Sequence, residues 1–209
     1  MSLLIVEQMA RGIRSFHFEG LQFILRSQEK KKYTKRMCRN MLKHVEIKDA
    51  ESFRAFYDWI FQKGYTYKFQ EAMIEVQMLP RQSWSDYLAH VNDKDYEMYR
   101  YIMDNIDRIP TGGAVAYDMA YLLLIIHASR RLGYIEQEEE ELKTLHVLQF
   151  LQMNYADWTE FIFGFSLGKR QMTTDFSNKY VWDYKVFLRH WLYSKKSPFH
   201  QIDWRTELT

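Results

Sequence analysis

Among the few polar side chains in the apolar stretch between Val115 and Leu132 are Asp118, His127 and Arg130. A carboxylate, an imidazole and a guanidinium are the groups from which proton transfer and anion recognition are built. His127 and Arg130 lie three residues apart, so on a helix they share a face. Asp118 is about two and a half turns from His127, too far for direct contact on one helix. Two readings stay open. Either the three face a shared polar pocket, or Asp118 in the first turn and Arg130 with Arg131 in the last simply complement the helix dipole.

Other chemistry is thinner. Glu138 to Glu141 could be paired carboxylates, but a general acid needs a desolvated site to raise its pKa. At the start of a helix, such glutamates are dipole-favourable and face water. The seven histidines show no H-E-x-x-H and no pair four apart, and no E-x-x-H occurs, so no metal ligand set emerges. No G-x-S-x-G, phosphate-binding loop or kinase set is present, and no cofactor is expected. The single cysteine, Cys38, lies beside Arg36 and Arg39, which would lower a thiol pKa, but no histidine stands at helical spacing. A buried, inert thiol is the simpler reading.

A third candidate is a surface. Lys32, Lys35, Arg36, Arg39 and Lys43 fall on one face of an amphipathic helix between Glu29 and His44, with Tyr33, Met37, Met41 and Leu42 opposite. Such a face is either simply solvated or docks an acidic partner. Nucleic acid is the weaker expectation, because 29 basic against 27 acidic residues leave the chain at only +2.

These residues must be held by helices. No segment alternates long enough for a strand. Val115 to Leu132 is apolar all round, as a buried helix is, and Gly133 follows as a left-handed terminator. Before it, helical patterns run over 3–27 (with Gly12 and Gly20 as possible breaks), 29–44, from an Asp49 cap to Gly64, and over 65–79. A short helix follows, capped by Ser83 with Asp86 reaching back, then one from Asp93 to about Ile106. After it come a helix from Tyr134, one capped by Asp157 with Glu160 in the capping-box position, and one over Lys179–Ser194. Gly164 and Gly168 sit four apart on one face, as close helix packing requires. The expected fold is all-α: a single globular domain over 1–209, of about eight helices around a buried central helix at 114–132. Residues 1–44 would form a peripheral layer and 45–205 the core. Ser197-Pro198 stops the last helix, and Trp204 is expected to fold back onto the domain.

The order Tyr-Asp near a helix start, R-R-L-G-Y-I with a glutamate run, then W-x-E-F…G…L-G-K is similar to a bacterial family, domain of unknown function 1266. The V-E-I-K-D…F-Y-D-W-I…G-Y segment (Val45 to Tyr65) and the Ser197–Trp204 tail extend the resemblance over about residues 40 to 205. His127-Ala128 and Phe199 depart from the residues common there. The resemblance implies a bacterial, single-domain, mostly helical protein and carries no activity.

Composition sets the remaining bounds. One cysteine fits a reducing compartment, and the start MSLLIVEQMARG lacks a basic n-region and a long apolar run. A cytoplasmic location is therefore expected, with no membrane span. Fifteen Tyr, fourteen Phe and six Trp exceed the ordinary needs of a helical core. With no catalytic motif, the expectation is a protein-binding module, for example an immunity or antitoxin-like protein that occludes a toxin or effector. The alternative is an enzyme using the pocket around Asp118, His127 and Arg130.

Overall fold

The computed structural model describes residues 6–14, 35–176, 200 and 202–208. Among them the chain is all-α, with no strand. The helices are α1 (6–14), α2 (Lys35–His44), α3 (Ala50–Gln62), α4 (Tyr67–Met78), α5 (Trp84–Leu88), α6 (Asp93–Asn105), α7 (Val115–Leu132), α8 (Gln137–Asn154) and α9 (Trp158–Thr173). Lys32, the 29–34 part of the basic helix, the expected helix at 179–194 and Phe199 lie outside the described residues.

The chain forms two compact units interleaved in sequence. The first holds Met1–Gln62, Met119–Met153 and Lys196–Thr209, and the second Lys63–Asp118 and Asn154–Lys195. The boundary falls within α7, whose first turn belongs to the second unit.

In the first unit, α7 is the buried element. From Met119 to Ala128 only Tyr121 and His127 are even partly exposed. Its end is fixed by sequence: Gly133 takes φ +79°, its N–H bonds the Arg130 carbonyl, and the Tyr134 N–H reaches the Ser129 carbonyl at 2.9 Å. This paired closure needs a left-handed residue, which glycine supplies without a Cβ penalty. Helix α3 presents Phe53, Tyr57 and Ile60 inward, spaced for one face. At its start Asp49 accepts the Ser52 N–H at 2.9 Å. The C-terminal tail is anchored on α8: the Gln152 amide donates to the Trp204 and Thr206 carbonyls, and Trp204 is 4% exposed.

In the second unit, Phe69, Met73 and Val76 of α4 pack with Met98, Ile102 and Met103 of α6 and with Leu167 of α9. Asn92 caps α6 by accepting the Lys94 and Asp95 N–H groups. Asp157 caps α9 by accepting the Glu160 N–H, while the Glu160 carboxylate takes the Ala156 N–H at 2.7 Å. Ser83 does not cap α5. It sits in right-handed backbone at the end of a 3-10 turn, Arg81–Ser83, which starts directly after Pro80, and its side chain makes no cap bond.

Helix α9 meets the start of α7 at its glycines. A Cβ on Gly164 would lie 2.6 Å from the Gly113 carbonyl oxygen and from the Tyr155 ring. One on Gly168 would lie 2.3 Å from the Tyr117 Cβ. Tyr155 is the hub of this crossing: its hydroxyl accepts the Ala116 N–H at 2.9 Å and donates toward the Gly112 and Gly113 carbonyls. It thereby satisfies one of the amides that a helix start leaves without an internal partner.

Candidate functional site

Asp118 is separated from the other two sequence candidates by what it binds. It is 1% exposed, and its carboxylate accepts the Tyr65 N–H at 3.1 Å, the Thr66 N–H at 3.0 Å and the Thr66 hydroxyl at 2.7 Å. Those amides immediately precede α4, and Thr66, its N-cap residue, gives its hydroxyl to Asp118 and makes no cap bond of its own. Asp118 therefore serves as a remote cap for another helix. Burial pushes its pKa up to about 6, against the opposing pull of the three donors. Its role is to position α4, and it does not line the cleft described next.

His127 and Arg130 do come together. They line a cleft of about 430 Å³ with Val6 and Glu7 of α1, Arg131 of α7, and Gln137, Glu140, Glu141 and Thr144 of α8. The residue that joins them is Glu140, from the run that reads in sequence as water-facing. His127 Nδ1 lies 3.1 Å from one Glu140 oxygen, and Arg130 Nε lies 3.9 Å from the other. A carboxylate only accepts, so it fixes the proton on Nδ1 and orients the imidazole. Glu139 is likewise engaged, in a two-point pair with Arg54 at 3.0 and 2.9 Å. Helical spacing signals neither contact, because each crosses between helices.

The basic face of α2 is the second candidate. Lys35, Arg36, Arg39 and Lys43 are exposed, while Cys38 and Leu42 form the buried side. Burial raises the Cys38 thiol pKa, and the Arg131 charge only partly opposes it, so this is not an activated nucleophile. Arg39 and Lys43 continue into a groove of about 530 Å³ completed by Glu46, Ile47, Lys48 and Tyr134. Among the described residues, no carboxylate makes an ion pair with Lys35, Arg36, Arg39, Lys43 or Lys48.

The sequence gives no hint of the backbone beneath this groove. Glu46 takes φ +59°, its N–H bonding the Lys43 carbonyl, and the Ile47 N–H reaches the Leu42 carbonyl at 2.8 Å. The turn that ends α2 thus uses the hydrogen-bond pattern of a glycine terminator with glutamate in the strained position. It seats Ile47 and Leu42, both buried, on the same side.

Among the described residues, the aromatics do not form the exposed patch that the composition suggests. Among the described residues no Tyr, Phe or Trp is exposed. They pack on neighbouring rings, as the half-buried Phe61 does on His146 with centroids 4.6 Å apart and planes at 6°. Tyr57 closes that group by bonding His146 Nδ1 at 2.7 Å, with the Lys143 ammonium 3.7 Å from its ring centre. No group of three or more His, Cys, Asp or Glu with metal-binding geometry occurs among the described residues. No helix there is long and apolar enough to cross a membrane.

No curated protein and no solved structure matches this chain. A family model described as "Protein of unknown function (DUF1266)" matches residues 42–204, which span α3 to α9 and reach into the tail that carries Trp204. With that match covering most of its length, the chain belongs to the DUF1266 family.

Proposed function

We propose that this protein is a binding module whose α2 face and adjoining groove dock an acidic surface of another protein. One observation carries the reading: Arg39, Lys43 and Lys48 line a groove with Tyr134 and Ile47, Lys35 and Arg36 are exposed on the same helix as the first two, and among the described residues none of the five has an ion-pairing carboxylate. Exposed charges of one sign raise the rate of encounter with an opposite surface, and a half-buried aromatic offers an anchor at low entropy cost. A bacterial immunity or antitoxin-like role, in which the protein occludes a toxin or effector in the cytoplasm, is the specific form we favour.

The test is capture of partners from extracts of the native host on the immobilised full-length chain. The triple variant Lys35→Glu, Arg36→Glu, Arg39→Glu runs in parallel. We expect an acidic protein to be retained by the wild type, to associate more slowly as salt rises, and to be lost from the variant. Screening shortens from about 10 Å at 0.1 M to about 3 Å at 1 M. Retention of nucleic acid, or equal retention by the variant, contradicts the proposal.

The alternative is an enzyme built on the His127–Arg130 cleft. The oriented His127–Glu140 pair favours it, as a positioned imidazole serves a general base. Asp118, with its carboxylate committed to Tyr65 and Thr66, is not available for that role.

A further inference from the structure

The cleft at His127 has a charge pattern of its own. Two guanidinium groups, Arg130 and Arg131, and three carboxylates, Glu7, Glu140 and Glu141, line one space of about 430 Å³. Most of them are already matched. Glu7 pairs with Arg14 at 2.8 Å and lies 3.5 Å from Arg11. Glu140 is held between His127 and Arg130. Two are left over. Glu141 is half-buried and accepts one bond, from the Gln137 amide at 2.8 Å, and Arg131, exposed at the rim, makes no ion pair among the described residues.

The Glu141 carboxylate is matched only by the neutral Gln137 amide, which leaves it able to take a cationic partner. Arg131 and Glu141 both line the cleft and make no ion pair with each other. A purely anionic ligand would meet three carboxylates there, and a purely cationic one would meet two guanidinium groups. A molecule with one negative and one positive end meets neither penalty. Val6 adds an apolar wall, and the volume lies in the range of small-molecule sites, roughly 300–1,000 Å³.

We propose that this cleft binds a small zwitterion of the amino-acid class, its carboxylate toward Arg131 and its ammonium group toward Glu141. Glu140 acts as a positioning residue that holds His127 and Arg130 away from those two charges. The site is distinct from the basic groove, and its occupancy does not depend on a protein partner.

Isothermal titration calorimetry of the full-length chain tests it, using each proteinogenic L-amino acid in turn. Propionate, propylamine and inorganic phosphate serve as one-ended probes. At least one amino acid is expected to bind with a Kd below ~1 mM, with propionate and propylamine each at least about tenfold weaker. Arg131→Gln and Glu141→Gln should each weaken that binding by about tenfold or more, the loss expected for one charge-assisted hydrogen bond. Glu97→Gln, exposed on α6 and outside the cleft, should leave it unchanged. Absence of any amino-acid binding below ~1 mM overturns the proposal. So does phosphate or propionate binding as tightly as the best amino acid, which would mark a simple anion site. The comparison of probes on the wild type decides the matter even where a variant fails to fold.

Discussion

Replacing Gly164 by alanine should destabilise the protein, although alanine is the better helix former. In an open helix the exchange gains about 1 kcal/mol. Here the added Cβ would meet the Gly113 carbonyl oxygen and the Tyr155 ring at 2.6 Å, where ordinary contacts begin at 3.4 Å. The missing 0.8 Å must come from moving backbone or from turning Tyr155. Turning Tyr155 is costly, since its buried hydroxyl holds the Ala116 N–H and faces the Gly112 and Gly113 carbonyls. Overpacking typically costs about 1–3 kcal/mol, and a buried polar group left unpaired about as much again. Set against the helix gain, the net loss should be about 1–5 kcal/mol. Urea unfolding followed by far-UV circular dichroism should show the midpoint falling by about 1 M. Gly133→Ala is the internal standard, since nothing lies within 4 Å of its Cβ. Its cost of about 1–2 kcal/mol would come from the left-handed φ alone. A Gly164→Ala protein as stable as wild type, or more so, would refute the close approach of α9 to the start of α7.

Asp118 makes a pH-dependent contribution. Its pKa is raised from 3.8 to about 6 in the fold, so the native state binds the proton more tightly and stability falls as pH rises across that window. Asp118→Asn should remove that slope, worth at most about 3 kcal/mol between pH 4 and pH 7; a slope unchanged in the variant would show that another group titrates. Glu46→Gly should relieve the φ of +59° and raise the melting temperature by about 2–4 °C, the shift expected for about 1 kcal/mol at this length. If the basic groove docks an acidic partner, the same variant should also speed association, because it removes the groove's one carboxylate. Trp204→Ala should cost about 3–5 kcal/mol if the tail's burial is structural, and a negligible change in unfolding midpoint would disprove that.

Where one-dimensional rules hold, the chain was readable. The all-round apolar character of α7, the glycine that ends it, the Asp157 cap and the glycine spacing on α9 all act within a few residues, and the structure has each in place. The Ser83 cap failed on another local rule: Pro80 begins a 3-10 turn that places Ser83 in helical backbone, leaving its hydroxyl no cap geometry. The candidate pocket was legible only in part, for a different reason. His127 and Arg130 share a face by periodicity, but Asp118 is drawn off by Thr66, 52 residues away in sequence, and Glu140 arrives from the next helix.

Helical spacing tells which side chains point the same way, and it is silent on which foreign group meets them. That limit bears directly on the two candidate surfaces. The basic face of α2 could be read from sequence because it consists of residues on one helix that meet no counter-charge among those described. The cleft could not, because its character is set by which charges have been neutralised across helices. Glu139 illustrates the point: beside Glu140 and Glu141 it reads as one more water-facing carboxylate, yet Arg54 holds it from α3. Once such pairings are removed, Glu141 and Arg131 remain as the charges that a ligand would have to satisfy.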